Sequence, residues 1–596
     1  MLKQAHDILE QYFGFSSFRQ GQQQVIEHIS QGHNTLGIMP TGGGKSICYQ
    51  IPGLVVDGTA LIISPLISLM KDQVDSLTSL GISATYINSS LSSEEQFERL
   101  RNASNGEYDF VYVAPERFDS ESFLRSLRST RLSLIAFDEA HCISQWGHDF
   151  RPSYRSVVQN IQRLGTLPPI VALTATATEE VTRDIQQLLS ISEKCVVNTG
   201  FARDNLHFRI VKGKEKHDYI QDYVRSRPNE SGIIYASTRK DVDRLHQWLT
   251  KEGYQVDKYH AGLSEDERKE AQNSFIQEET TIMVATNAFG MGIDKSNVRY
   301  VIHYALPMNI ESYYQEAGRA GRDGEPSDCI LLFSAKDIQL QKFLIEQSLM
   351  EEDKKSVEYQ KLQQMINYCH TDRCLQEYML SYFKDPFEHP PCEKCSNCLH
   401  EGELKDITKE AQMILSCTKR MDERFGSGLV AKVLKGSKSQ KVKDGRFHKL
   451  STYGLLSHLT EKEITQMIQF LVAEGYLTVG EGKFPLLRLT SESVSVLKGE
   501  VTVSMLLEST SVAVKEENYD EQMFESLRAL RKSIAEDYDI PPYIVFSDAT
   551  LKELCKHQPK TKADMLQIKG IGEKKFEQYG EVFLEALQSY NAQQVT

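Results

Sequence analysis

Two short runs carry the residues with the clearest chemistry. The first is Pro40–Thr41–Gly42–Gly43–Gly44–Lys45–Ser46. Consecutive glycines let backbone N–H groups curl around phosphate oxygens. A lysine directly after them reaches the β- and γ-phosphates, and a serine hydroxyl joins the shell of a Mg²⁺ ion. The strict pattern has Gly where this chain has Met39, yet a purely structural turn has no need of Lys45 and Ser46 after three glycines. The second run is Asp138–Glu139–Ala140–His141. Its first carboxylate can hold Mg²⁺ on a nucleotide, and its second can orient and deprotonate an attacking water. Arg319 and Arg322 stand three apart in a glycine-rich helix start. From across a domain cleft, such arginines stabilise transition-state charge on a γ-phosphate. The expected catalytic set is Lys45, Asp138, Glu139, Arg319 and Arg322. The expected nucleotide-binding set is Thr41, Gly42, Gly43, Gly44, Lys45, Ser46 and Asp138. Upstream, Gln22 can pair with the two-sided edge of adenine while Phe15 and Arg19 sandwich its ring.

Three further groups suit nucleic acid or metal. Trp146, Phe150 and Arg151 follow the acidic run within a dozen residues. Aromatic rings and arginine are what single strands stack on, so one segment joins a hydrolysis site to a base-stacking site. Lys432, Lys435, Lys438, Lys441, Lys443, Arg446 and Lys449 crowd a span whose one acid is Asp444. That is a local basic patch suited to duplex phosphates. Cys392, Cys395 and Cys398 are spaced so that consecutive thiolates face one ion, and Cys374, Cys369 or His370 can close a tetrahedral Zn²⁺ site. A [4Fe–4S] cluster also takes four cysteines.

These residues need rigid elements to hold them. Apolar runs at Leu36–Met39, Leu61–Ile63, Phe110–Val113, Leu132–Phe137 and Ile170–Leu173 alternate with helical stretches, the pattern of a parallel sheet. Ligands of such sheets gather at the C-terminal strand ends, where both chemical runs fall. The rhythm restarts at Arg203, with runs at Ser231–Tyr235, Thr281–Ala285 and Val301–Tyr304. This second α/β unit has no phosphate loop of its own. Tyr476–Leu489 reads as two strands about a Gly turn, the wing of a winged helix. From Tyr519 the chain is helical, and Ile568–Lys575 resembles a helix-hairpin-helix turn whose amides can face a phosphate. Tyr543, after two prolines, is a candidate base-stacking residue.

A chain of 596 residues is too long for one core and predicts roughly three to five domains. No run approaches the ~20 apolar residues of a membrane span, and the N-terminus lacks a signal peptide's apolar core. A cytoplasmic protein is expected, with its 11 cysteines as thiols or metal ligands. The net charge of −14 excludes a surface coated in basic charge but not local basic patches.

In this order, PTGGGKS, SPLISLMKDQV, DEAHCISQWGHDFRP, ALTATA, ATNAFGMGIDK and QEAGRAGRDG resemble the superfamily 2 DNA helicases of the RecQ family. The resemblance spans nearly the whole chain. It implies an α/β fold of two RecA-like parallel-sheet domains, a zinc-binding helical module, a winged helix and a small all-α HRDC-like domain. The boundaries expected are 1–205, 206–342, 343–405, 406–507 and 519–596, with a linker at 508–518. It implies 3′→5′ unwinding of duplex and branched DNA with ATP, Mg²⁺ and structural Zn²⁺, in recombination, repair and replication-fork maintenance. It favours Cys374 as the fourth ligand beside Cys392, Cys395 and Cys398, supports adenine binding by Phe15, Arg19 and Gln22, and matches Trp146, Phe150 and Arg151 to a loop coupling DNA to hydrolysis. Lys432, Lys435, Lys441 and Tyr543 are the remaining expected DNA contacts. The expected protein is a monomer, nucleoid-associated when on DNA, with single-stranded-DNA-binding protein as a partner of the winged helix. The alternatives are a DNA-dependent translocase that separates no strands and a structure-specific DNA-binding scaffold.

Overall fold

The computed structural model describes the chain except residues 1, 66, 148, 166, 291–294, 349, 401–403, 481–485, 507–519, 539 and 594–596. The expected linker at 508–518 and the tip of the expected wing lie outside the described residues.

Two parallel sheets form the core. The first contains β1 (Thr35–Ile38), β2 (Thr59–Ile63), β3 (Ala84–Ile87), β4 (Phe110–Val113), β5 (Leu132–Phe137), β6 (Ile170–Thr174) and β7 (Val196–Asn198), in the order β3-β4-β2-β5-β6-β1-β7. The second contains β8 (Leu206–Val211), β9 (Ser231–Tyr235), β10 (Val256–Tyr259), β11 (Ile282–Ala285), β12 (Val298–His303) and β13 (Ser327–Leu332), in the order β10-β11-β9-β12-β13-β8. Helices cover both faces, so strands such as β1, β2, β4 and β6 are buried along their whole length. That burial is why they read as continuous apolar runs rather than alternating ones. All strand pairs within each sheet are parallel, which puts the chemistry-bearing loops at one edge. β1 runs into the glycine turn and then the helix Ile47–Val55, while β5 runs into Asp138.

Three smaller units follow. The helices Glu352–His370 and Leu375–Tyr382 carry a loop of cysteines that lies against the free edge of β8, where Ser396 N donates to Phe208 O at 2.9 Å. The next unit packs the helices Thr408–Arg420, Ser427–Lys435 and Glu461–Ala473 around their own core, with strands Leu477–Val479 and Leu487–Leu489 paired antiparallel as the expected wing. Last comes an all-helical tail from Glu521 to Gln593, centred on Leu527, Phe546, Leu551, Leu554 and Phe583.

The tail is seated on both sheet domains. Arg531, fully buried, donates to Asp548 within the tail at 2.8 Å and to Glu278 of the second domain at 3.2 Å. Lys552 pairs with Glu325. On the other side, Lys574 donates to Leu80 O at 3.1 Å and lies 4.0 Å from the centre of the Tyr12 ring.

Candidate functional site

A cavity of about 1220 Å³ opens where the C-terminal edge of the first sheet meets the second domain and the tail. Thr41, Gly42, Gly44, Lys45 and Ser46 line it, as do Asp138, Glu139, Arg319 and Arg322. Gly42 and Gly44 have φ of 72° and 76°, the left-handed backbone that only glycine adopts without strain, and this curls the loop. Gly43 N donates to Pro40 O at 3.0 Å, closing the turn.

Asp138 is fixed by its backbone. Its N–H donates to Ile63 O at 2.9 Å, continuing the β2–β5 ladder one residue past the strand. Tyr154, fully buried in the helix Pro152–Ile161, places its hydroxyl 2.9 Å from Asp138 O and 3.1 Å from Ile63 O. Glu139 turns left-handed at φ 48°, ψ 49°, an uncommon conformation for a side chain with a Cβ. Behind it, buried His141 sets Nδ1 3.3 Å from Glu139 Oε2 and 3.0 Å from Thr174 Oγ1 at the end of β6. The acidic run is thus tied to the next strand end through one imidazole.

The electrostatics suit a phosphate with a divalent ion. Burial first, and then the charge of Glu139, push the Asp138 carboxyl up to about 7 against the opposing charge of Lys45. Burial lowers the Lys45 ammonium, while Glu139 and Asp138 support its charge. Two crowded carboxylates whose charges disfavour each other make a negative site that a nearby cation relieves. Arg319 is buried, and its Nε and Nη1 lack hydrogen-bond partners among the described residues, as fits a group that meets an anion. The Arg322 backbone lies against the phosphate loop: a Cβ on Gly42 would stand 3.4 Å from Arg322 Cα.

Phe15, Arg19 and Gln22 line the same cavity. Arg19 Nη1 donates to Gly42 O at 2.6 Å, and Gln22 Nε2 donates to Gly44 O at 2.9 Å. Both side chains brace the phosphate loop here, and Gln22 Oε1 also accepts from Arg19 N at 2.8 Å. Phe15 is partly exposed at the rim.

Of the expected DNA contacts, Trp146 is 58% exposed, which excludes a role in the core. Phe150 and Arg151 are half-buried. Arg151 is held by Asp149 at 3.0 Å and by Pro65 O at 2.8 Å, joining the aromatic loop to the segment after β2. Lys441 is exposed on the helical unit, while Lys432 and Lys435 are half-buried, with Lys435 donating to Ser457 O. Tyr543 is half-buried in the tail. These groups lie on separate units and form no single cluster with the cavity.

The Sγ atoms of Cys374, Cys392, Cys395 and Cys398 all lie within 4.8 Å of one another. Backbone amides back three of them: Cys392 N, Cys395 N and Cys398 N point at Cys374, Cys392 and Cys395 Sγ at 3.3, 3.3 and 3.4 Å. N–H groups aimed at sulfur stabilise thiolates, the state that zinc requires. The other two candidates stand outside the group. Cys369 is buried in the core, and His370, whose pKa burial lowers to about 3, packs edge-on against Phe333 at 5.0 Å.

Two features of the site escape sequence reasoning. One is Arg203, buried between the domains and bonded to Thr41 and to the Gly318–Gly321 backbone. Its only signal is a charged residue where one sheet rhythm ends and the next begins. The other is the seat of the tail: its Ile568–Lys574 turn, legible in sequence as a hairpin turn, forms part of the cavity wall and packs Gly572 against Gly14.

Five family models match the chain in succession: DEAD/DEAH box helicase over residues 19–185, Helicase conserved C-terminal domain over 215–324, RecQ zinc-binding over 335–399, RQC domain over 401–512 and HRDC domain over 520–587. The chain is 49% identical over 591 residues to the ATP-dependent DNA helicase RecQ of Bacillus subtilis, covering 99% of each. It is 40% identical over 600 residues to the ATP-dependent DNA helicase RecQ of Pasteurella multocida, covering 99% of this chain and 94% of the relative. To the RecQ-like DNA helicase BLM of Xenopus laevis it is 32% identical over 640 residues, covering 99% of this chain and 46% of the relative. A phosphate loop, an acidic strand end, paired arginines and a four-cysteine cluster thus stand in a chain alike from end to end to bacterial relatives, and the chain belongs to the RecQ family.

Proposed function

We propose that this protein is an ATP-dependent DNA helicase that moves 3′→5′ along one strand and separates duplex and branched DNA. The observation that carries the reading is the convergence of Lys45, Asp138, Glu139, Arg319 and Arg322 on one cavity between two sheet domains. The names of the bacterial relatives support DNA as the substrate.

The phosphate-loop amides and Lys45 hold the β- and γ-phosphates, and Ser46 and Asp138 hold Mg²⁺. When bound, the ion neutralises charge on those phosphates. Glu139 takes a proton from the attacking water, with His141 fixing its carboxylate. Arg319 and Arg322 approach from the second domain and stabilise charge as the terminal bond breaks. Their approach joins hydrolysis to motion of the two halves, and Trp146, Phe150 and Arg151 report the bound strand to the acidic run. Zn²⁺ on Cys374, Cys392, Cys395 and Cys398 is structural. Lys432, Lys435 and Lys441 meet duplex phosphates, and Tyr543 stacks on a base.

The protein acts as a monomer in the cytoplasm, at the nucleoid when on DNA, in recombination, repair and fork maintenance, with single-stranded-DNA-binding protein meeting the winged helix. No helix among the described residues is long and apolar enough to cross a membrane.

The test uses a labelled duplex with a 3′ or a 5′ single-stranded tail. Release of the labelled strand is expected from the 3′-tailed duplex only, with ATP and Mg²⁺. Consumption of ATP without release would leave a translocase, and release from the 5′ tail alone would reverse the direction.

A further inference from the structure

Arg203 is a cation in an unusual setting. It lies on the segment that leaves β7 for β8, where the chain passes from one sheet to the other, and it is 8% exposed. Among the described residues its hydrogen bonds go to neutral acceptors. Nη1 donates to Thr41 O, to Thr41 Oγ1 at 2.9 Å and to Gly318 O at 3.3 Å. Nη2 donates to Ala320 O at 3.0 Å and to Gly321 O at 2.9 Å. Nε donates to Asn205 Oδ1 at 3.3 Å, and Asn205 in turn donates to Gly321 O at 2.7 Å and Glu325 O at 2.8 Å.

The acceptors belong to two loops of opposite origin. Thr41 opens the phosphate loop of the first domain. Gly318, Ala320 and Gly321 are the backbone on either side of Arg319, in the second domain. One planar guanidinium spans both because its donors diverge in a fixed fork. The loops also touch directly: a Cβ on Gly318 would stand 2.1 Å from Thr41 Oγ1. A side chain used only to close a fold has no reason to hold three carbonyls within four residues around a functional arginine. Burying a cation without a carboxylate is costly, and carbonyl dipoles recover only part of that cost. Lys45, Arg322 and Arg19 line the cavity beside it, and burial, with Arg322 and Arg19, works against the charge on Arg203, so the cations gathered here suit an anionic ligand in that cavity.

We propose that Arg203 is a positioning residue for ATP hydrolysis, setting the arginine-bearing loop in register with the phosphate loop so that Arg319 meets the γ-phosphate. It acts through the backbone of Arg319 and does not itself touch the nucleotide. The proposal rests on the nucleotide reading of the cavity given above.

The test pairs Arg203→Lys with Arg319→Lys, alone and together, in the full-length protein with single-stranded DNA present. A lysine keeps the charge but has one point of donation and cannot span both loops. For Arg203→Lys the expected result is a fall in kcat of at least about tenfold, with KM for ATP within about threefold, because misplaced transition-state contacts cost kcat while ground-state phosphate contacts survive. The double variant is expected to lose less than the product of the two single losses, since Arg203 has then lost one of the groups it positions. A kcat unchanged in Arg203→Lys overturns the proposal. So do losses that multiply in the double variant, or a fall in kcat matched by the fall in melting temperature, which mark a structural role. Should Arg203→Lys fail to fold, Asn205→Ala, which loosens the same loop at Gly321 and Glu325, is measured in the same pairing with Arg319→Lys and judged by the same criterion. Lys45→Ala is run beside them: if it hydrolyses ATP normally, the nucleotide reading itself fails, independently of Arg203.

Discussion

Lys45 lines the cavity in the glycine-rich loop, so Lys45→Ala is expected to abolish ATP hydrolysis and unwinding while single-strand affinity stays near that of the parent protein. Filter binding beside an ATPase assay checks this, and normal unwinding by the variant removes the phosphate-loop assignment. Asp138 leads to a pH dependence. Its carboxyl, raised to about 7, is protonated below that pH and cannot hold a cation. The Mg²⁺ concentration for half-maximal hydrolysis is expected to rise as pH falls through 7, and a flat Mg²⁺ requirement between pH 8 and 6 contradicts it. Trp146 can be tested without ambiguity because it is exposed. A stacked base is worth about 1–3 kcal/mol, so Trp146→Ala is expected to weaken DNA binding modestly. DNA-stimulated hydrolysis and unwinding fall much further, while basal hydrolysis and melting temperature hold. Equal loss of basal and stimulated rates with earlier melting sinks the coupling role. At this scale the sequence was informative wherever chemistry demands a residue type at a spacing: three glycines before Lys45, or thiols three apart. It was silent on Arg203 and Tyr154, because a lone arginine or tyrosine acquires its role only from the carbonyls that folding brings to it.

Most strands that sequence reveals are buried on both faces with an apolar run; β13, buried throughout, is masked in sequence by Ser327 and Asp328 at its start. β7 escaped notice because it is three residues long and only its central residue, Val197, is fully buried. β8 escaped notice because its far half is only partly covered, giving Leu206–Val211 a mixed pattern. What covers it is the cysteine loop, through Ser396 N to Phe208 O and Ile210 N to Ser396 Oγ at 3.3 Å. The same module grips the crossing between the domains. Asp385 accepts from Phe201 N at 2.6 Å, and the Phe201 and Phe383 rings stack at 4.7 Å. Metal binding contributes folding energy directly, so Cys395→Ser is expected to lose zinc and to melt earlier. Hydrogen exchange is expected to rise along β8 as well as in the module. Metal analysis that finds iron with labile sulfide, or none in well-folded protein, contradicts the assignment.

The whole molecule is held together by a patch of buried charge as well as by apolar cores. Burial works to raise the Glu278 carboxyl, yet Lys295, Arg531 and Arg528 outweigh it and hold it at about 2. A carboxylate depressed below its ordinary value of 4.5 adds stability above that pH, and the contribution is lost as pH falls toward 2. The tail is therefore expected to stay seated at pH 5 and to detach as acid protonates Glu278. Glu278→Gln removes one partner from a buried group, a change that costs about 3–5 kcal/mol. Faster hydrogen exchange in the helix Glu521–Tyr538, with the phosphate loop still protected, is the expected signature; an unchanged tail removes Glu278 from its seat. None of this was visible in the sequence, where Glu278 and Arg531 stand in different domains among many exposed charges. The shared wall also changes what kind of container the nucleotide occupies. A cavity enclosed by one fold opens only as far as its loops bend. This one is walled by separate folded units, so widening it at the tail would expose the Glu278 and Glu325 ion pairs, whose charges water and dissolved salt then stabilise. Release of spent nucleotide is thereby expected to depend on ionic strength through the seat of the tail, in addition to the charged residues that line the cavity.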